Sequence, residues 1–112
     1  MVSRMRYALL LSALLLASCA SGLLRSSVDY YMNGDYEMAI QSADWALETH
    51  NPTPEERALA NLIKAQSLEK LGDRDSAMGL YQYVVDTYPE TPHSYQAGQQ
   101  LRRLQGAAAG DP

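Results

Sequence analysis

The sequence has no phenylalanine, one cysteine, one tryptophan and two histidines among its 112 residues. A single cysteine excludes an internal disulfide. The two histidines, His50 and His93, stand far apart in the sequence, so they make a poor metal site. The sequence also has no glycine-rich phosphate-binding loop and no set of nucleophile and base. These absences predict a chain that is not an enzyme and that needs no metal or cofactor.

The apolar run at the start of the chain, Tyr7 to Ala17, is shorter than the about 20 residues that span a bilayer. Arg4 and Arg6 precede this run and small residues follow it, which is the layout of a secretory signal peptide. The cleavage zone at residues 16–19 reads Leu-Ala-Ser-Cys and resembles a bacterial lipobox. The alternative is an ordinary signal peptide with an incidental cysteine at position 19.

The lipobox resemblance implies that residues 1–18 are removed and that Cys19 is acylated. Two or three acyl chains on one residue anchor a protein stably, whereas a single chain does not. The non-acidic Ala20 implies, by resemblance to proteobacterial lipoproteins, the periplasmic face of the outer membrane. Removing Arg4 and Arg6 shifts the net charge from −4 to −6, which argues against nucleic-acid binding and against a basic membrane-surface patch. Contact with the membrane should come from the lipid.

The rest of the chain has the spacing of apolar residues and the turn signals of helices. Gly34 and Gly72 each interrupt a helical pattern, so each predicts the turn of a helical hairpin. Thr53, followed three residues later by Glu56, predicts a capped helix start. The first expected helix ends near Asn33. The second runs from a cap at Asp35 to about Thr49, and the third from Pro54 to Leu71. The fourth runs from a cap at Asp73 to Pro89, and the fifth from about Pro92 to Leu104.

Three residues recur after a shift of 38 positions: a turn glycine, the aspartate that follows it and a packing alanine. They are Gly34, Asp35 and Ala39 in the first copy, and Gly72, Asp73 and Ala77 in the second. With Ala65, Tyr81 and Pro89 around the second copy, the pattern resembles a tetratricopeptide repeat, a helical hairpin of about 34 residues.

This resemblance implies an all-α fold that forms a right-handed α-solenoid. It has two tetratricopeptide-like hairpins, at about residues 20–52 and 58–91, and a C-terminal capping helix at 92–105. The helical domain is expected to cover residues 27–105, between a lipidated tether at 19–26 and a disordered tail at 106–112.

The tetratricopeptide resemblance also predicts a binding face, because the first helix of each repeat lines a concave surface that takes peptides or partner helices. Tyr31 and Met32 would supply an apolar contact there, and Lys70 and Arg103 could hold a carboxylate such as a peptide terminus. The alternative is that these are ordinary solvated residues on an array too short to form a groove. The matching positions are Val28, Tyr31, Met32, Gln66, Glu69, Lys70, Gln100 and Arg103.

Trp45 and Tyr83 form a second candidate surface, since they fall at the same place in the two repeats. Tetratricopeptide proteins usually leave this part of the second helix exposed, and two exposed aromatic residues can mark a partner surface. The alternative is that the linker after the second helix covers Trp45.

These features predict a lipid-anchored periplasmic adaptor that binds or positions a protein or peptide partner in envelope assembly or export. The alternative is an accessory subunit of an envelope enzyme or of a polysaccharide or pilus secretion machine. Three repeats are the usual minimum for a stable array, so self-association is a further expectation.

Overall fold

A computed structural model of the chain describes residues 22–49 and 51–110, and five helices make up most of these ranges. The helices are α1 at residues 22–32, α2 at Tyr36–Glu48, α3 at Pro54–Lys70, α4 at Arg74–Thr87 and α5 at Pro92–Gly110. The predicted signal peptide, the predicted lipidation site Cys19 and His50 lie outside the described residues. None of the described helices is long and apolar enough to cross a membrane.

The turns at Gly34 and Gly72 have the same geometry, as the sequence repeat predicts. Both glycines lie in the left-handed region, with φ of 81° and 88°. In the first turn Gly34 N donates to Tyr31 O at 3.1 Å and Asp35 N donates to Tyr30 O at 2.9 Å. In the second turn Gly72 N donates to Glu69 O at 3.1 Å and Asp73 N donates to Leu68 O at 2.9 Å. This pattern is the Schellman motif, which ends a helix and reverses the chain.

The predicted helix starts differ in how their amides are satisfied. At α3, Thr53 and Glu56 form the predicted capping box, with side-chain to backbone bonds of 3.1 and 2.9 Å. At α4, Asp73 Oδ1 accepts from Ser76 N at 3.2 Å. The predicted cap by the Asp35 side chain is wrong, because this side chain accepts no bond from a described amide of α2. Asp35 and Asp73 have nearly the same backbone angles. The difference is therefore one of side-chain torsion, and water can solvate the exposed Asp35 carboxylate.

Small side chains bring α1 and α2 together. Ser27 Oγ, fully buried, donates to Ala39 O at 3.0 Å, and Ser42 Oγ donates to Leu23 O at 3.0 Å. Leu24 is 5% exposed and belongs to a core cluster that also contains Ala43, Ala46 and Ala60. The tether predicted for residues 19–26 is therefore wrong from residue 22 onward, since burying Leu24 stabilises helix there.

The second core cluster joins α3, α4 and α5. Ala65 and Ala77 are fully buried, which lets the two helices of this hairpin approach closely. Tyr81 and Val84 fill the space beside them and are also fully buried. The cluster is completed by Ala58, Leu62, Ala97, Leu101 and Leu104.

The fifth helix packs on α4 in the way that α3 packs on α2, with a shift of 34 residues. The buried residues of this face are Ala60, Ile63 and Ser67 on α3, and Ser94, Ala97 and Leu101 on α5. The opposite face of α5 is exposed and mostly polar, with Gln96 and Gln99 where α3 has buried Leu62 and Ala65. Such a polar outer face closes a helical stack. The predicted all-α fold of two helical hairpins and a capping helix is thus confirmed.

The last helix is longer than the sequence predicted. It continues to Gly110, five residues past the expected end, so the disordered tail predicted for 106–112 is wrong for residues 106–110. One glycine inside a helix costs about 1 kcal/mol relative to alanine. The run from Ala107 to Ala109 follows Gly106, and alanine is the strongest helix former, so the helix continues past Gly106.

Candidate partner-binding pocket

A pocket with a volume of about 300 Å³ opens where α1, α3, α4 and α5 meet. Six of its lining residues belong to the predicted binding face, and they come from α1, α3 and α5. The structure therefore brings together side chains that lie up to 72 positions apart in the sequence. The lining consists of Tyr31, Gln66, Glu69, Lys70, Tyr81, Gln100 and Arg103.

Two residues of the predicted face lie apart from this pocket. Met32 is 76% exposed, and Val28 is half-buried on α1. Helix α1 reaches the pocket through Tyr31, whose ring packs against that of Tyr36 with 5.6 Å between centroids. The predicted apolar contact from Tyr31 and Met32 is therefore reduced to Tyr31, because the next residue along a helix points about 100° away.

The sequence placed Tyr81 in the tetratricopeptide-like pattern, where it is expected to fill the gap between two helices, and did not predict it as a pocket residue. Its ring does fill that gap, but its hydroxyl reaches the pocket and donates to Glu69 Oε1 at 3.1 Å. A buried tyrosine hydroxyl usually finds a hydrogen-bond partner. A tyrosine at a fully buried packing position was therefore a signal for a polar group nearby.

Glu69 and Arg103 form an ion pair across the pocket, with 2.5 Å between Glu69 Oε2 and Arg103 Nη2. Arg103 Nε also donates to Gln100 Oε1 at 3.0 Å. The Glu69 side chain is 24% exposed and the Arg103 side chain 52% exposed, so water reaches both. Because Tyr81 donates to the other carboxylate oxygen, Glu69 is held from α4 and from α5 at once.

The Tyr81 hydroxyl is held in its protonated form. Burial raises the pKa of Tyr81 well above its ordinary value of about 10, and the charge and hydrogen bond of Glu69 raise it further. The charge of Arg103 acts in the opposite direction but is a smaller effect. Tyr81 is therefore a hydrogen-bond donor in the pocket across the physiological pH range.

Lys70 is the pocket cation that has no carboxylate within 4.0 Å among the described residues. The side chain is exposed, at the end of α3. With Lys70, Arg103 and Glu69, the lining has two cations and one anion. Gln66 and Gln100 add amide groups that can both donate and accept hydrogen bonds. The pocket is suited to a polar ligand that carries negative charge.

The second predicted surface consists of Trp45 on α2 and Tyr83 on α4. The two residues are 48% and 45% exposed, so the alternative that the linker covers Trp45 is wrong. Tyr83 packs edge-on against Tyr88, with 5.9 Å between ring centroids and 3.5 Å between hydroxyls. Whether these aromatic residues contact a partner stays a prediction.

The histidine in the described part of the chain lies away from this pocket. His93 Nε2 is 4.0 Å from Glu55 Oε1, which joins the first turns of α5 and α3. Within the described ranges, no group of three or more histidine, cysteine, aspartate or glutamate side chains could hold a metal ion.

Comparison with known proteins gives a partial similarity. No family model matches the chain, and no solved structure matches it significantly. Over 74 residues it is 36% identical to N-alpha-acetyltransferase 25, NatB auxiliary subunit, of Homo sapiens. The proteins of the same name from Mus musculus and Rattus norvegicus match with the same identity over the same length. The match covers 66% of this chain but 7% of each relative.

The chain thus spans about 7% of the length of the relatives that it matches. Similarity over so small a share of a protein concerns a segment and not the whole relative. Taken with the five helices of the described residues, it is compatible with a tetratricopeptide-like helical repeat.

Proposed function

We propose that this chain is a non-catalytic adaptor that binds a segment of a partner protein in the pocket between α1, α3, α4 and α5. The observation that carries the proposal is the convergence of polar side chains from three helices, α1, α3 and α5, on one cavity. These are the first helices of the two hairpins and the capping helix. In tetratricopeptide arrays the equivalent helices line the face that takes peptides.

The chemistry of the lining favours an extended peptide with a carboxylate. Lys70 offers positive charge to such a group, and Arg103, which is paired with Glu69, adds a second cation to the lining. The Gln66 and Gln100 amides match the donors and acceptors of a peptide backbone. Tyr31 offers one ring for an apolar contact. A volume of about 300 Å³ is at the lower end for ligand pockets, so a short segment or a chain terminus fits it best.

A lipid anchor on Cys19 would hold this adaptor at the periplasmic face of the outer membrane. The lipobox at residues 16–19 and the signal-peptide layout before it support this part of the proposal. The partner would then be a protein of the cell envelope, engaged in assembly or export. Two hairpins and a cap make a short array, so self-association is a further part of the proposal.

A second candidate function is that of an accessory subunit of an envelope enzyme or of a polysaccharide or pilus secretion machine. The observation that favours it is the name of the matched relatives, which are auxiliary subunits. In this case the pocket would hold a segment of the catalytic or secretory component, and the chemistry would lie in that component.

The test of the binding face is a crosslinked pull-down from membranes with two matched double variants. Tyr31→Ala with Lys70→Ala alters the pocket, and Trp45→Ala with Tyr83→Ala alters the aromatic surface. We expect the first variant to lose the partner and the second to retain it, with both melting near the wild type. Retention by the pocket variant together with loss by the aromatic variant would move the binding site to α2 and α4.

The test of the anchor is fractionation of a Cys19→Ser variant. We expect this variant to leave the membrane fraction and still to capture the partner from the soluble periplasm, because recognition resides in the helices. Retention of Cys19→Ser in the membrane fraction would refute the lipid anchor. An enzymatic activity captured together with the partner would favour the accessory-subunit function over the adaptor.

A further inference from the structure

One carboxylate of the chain, that of Glu69, already occupies two of the groups that the pocket could offer to an anionic ligand, those of Arg103 and Tyr81. Its Oε2 is 2.5 Å from Arg103 Nη2, and its Oε1 accepts from the Tyr81 hydroxyl at 3.1 Å. Arg103 is also fixed by its bond to Gln100. The strongest anion-binding group in the lining is therefore neutralised by the protein itself.

The groups around Glu69 come from each helix of the pocket, but the charged ones come from α3 and α5. Lys70 follows it on α3, Arg103 faces it from α5, and the protonated Tyr81 faces it from α4. The α1 side chain in the lining is Tyr31, which contributes an aromatic ring. With Glu69 ionised the lining carries one net positive charge, and without that carboxylate it would carry two.

We propose that Glu69 sets the charge selectivity of the pocket by disfavouring a second negative charge on the ligand. This inference rests on the proposed peptide-binding function. Lys70 takes the ligand carboxylate, while Glu69 occupies Arg103 and repels a second negative charge. Glu69 thereby lowers the affinity of the pocket for a dianion, such as a phosphate monoester, more than its affinity for a carboxylate, such as a peptide terminus. Selectivity arises here from a repulsive group as well as from an attractive one.

The size of the effect should depend on the charge of the ligand. A Coulomb energy is proportional to the charge of each partner. Removing the Glu69 charge therefore strengthens the binding of a dianion by twice the free energy by which it strengthens the binding of a monoanion. The fold-change for the dianion is then the square of that for the monoanion. For an exposed pocket we expect an affinity gain of about tenfold for a carboxylate and about a hundredfold for a phosphate.

The matched substitution is Glu69→Gln, since glutamine has nearly the same shape and keeps an acceptor for the Tyr81 hydroxyl. The control is Glu48→Gln, which removes one charge from an exposed site at the end of α2. Glu48 lies about 18 Å along that helix from Tyr36, the residue that packs on Tyr31 of the pocket. Melting curves of both variants show whether they are folded.

The probes are three acetylated dipeptides, titrated into the full chain at low salt and pH 7.5 and followed by the NMR shifts of the pocket residues. One is acetyl-alanyl-alanine with a free carboxylate, one is its neutral amide, and one is acetyl-alanyl-phosphoserine amide. We expect Glu69→Gln to raise the affinity for the phosphate by a larger factor than the affinity for the carboxylate. Glu48→Gln should change both affinities by less than about twofold, because its charge is distant and screened.

Failure of this inference can be told from failure of the proposed function. If the wild type binds the carboxylate but Glu69→Gln changes both affinities no more than Glu48→Gln does, the specificity role is refuted and the peptide pocket stands. Weaker carboxylate binding by Glu69→Gln would also refute it, since Glu69 would then serve to position Arg103. If wild type and variants bind none of the three probes, both the pocket function and this inference are overturned.

Discussion

Tyr81→Phe separates the two roles of Tyr81, because it removes the hydroxyl and keeps the fully buried ring. A hydrogen bond to a charged group contributes about 1.5–3 kcal/mol to stability. The Glu69 side chain is 24% exposed and keeps Arg103, so water and Arg103 compensate part of the loss. The substitution itself leaves no buried donor unpaired, because the hydroxyl that it removes is the donor of this bond. We therefore expect a loss of about 1 kcal/mol at pH 7, which lowers Tm by about 4–8 °C.

The same substitution has an opposite consequence at alkaline pH. The folded-state pKa of Tyr81 is raised above the unfolded value of about 10 by burial and by Glu69. Its contribution to stability is therefore complete below pH 10 and declines by about 1.4 kcal/mol per pH unit above that pH. Phenylalanine does not ionise, so the variant lacks this decline. Near pH 11 we expect the variant to be as stable as the wild type or more stable.

The assay is urea unfolding of both proteins, followed by circular dichroism at 222 nm, at half-unit steps between pH 7 and pH 11. Tyrosines other than Tyr81 are present in both proteins, so their titration cancels in the difference. A difference in unfolding free energy that stays constant from pH 7 to pH 11 would refute the reasoning. Equal stability of the two proteins at pH 7 would show that the hydroxyl contributes no net hydrogen bond.

Two further pairs of substitutions test the helix ends, again by urea midpoints. Thr53→Ala should cost about 1 kcal/mol because it breaks the capping box, whereas Asp35→Ala should cost only a few tenths because that side chain accepts no bond from a described amide of α2. Equal losses would contradict this difference. Gly72→Ala should cost about 1–2 kcal/mol, since its φ of 88° is strained for alanine, whereas Gly79→Ala within α4 should stabilise the protein by about 0.5–1 kcal/mol. Stabilisation by both substitutions would show that the second turn tolerates a side chain.

Much of the fold could be predicted from the sequence, because local signals decide where its helices begin and turn. Glycine is the residue that adopts the left-handed conformation without strain, so Gly34 and Gly72 predicted the two hairpin turns. The capping box at Thr53 predicted the start of α3 within one residue. Alanines with helical spacing predicted the faces along which the helices pack.

The ends of the fold and the details of the pocket were less predictable. The outer limits of α1 and α5 depend on small energies. One is the gain from burying Leu24 near the start of α1, and another is the cost of placing Gly106 inside α5. The predicted first-helix positions did lead to six of the seven pocket residues. The bond from Tyr81 to Glu69 and the pairing of Glu69 with Arg103 join different helices, so they required the packed structure.

The central claim is that the pocket between α1, α3, α4 and α5 contacts a partner protein. The most direct test is photo-crosslinking in cells with a light-activated residue at Gln66, inside the pocket, or at Gln82, exposed on α4. The claim predicts a defined adduct from Gln66 that disappears when Lys70→Ala is added, and no adduct from Gln82. An adduct from Gln82 alone, or one from Gln66 that Lys70→Ala leaves unchanged, would contradict it.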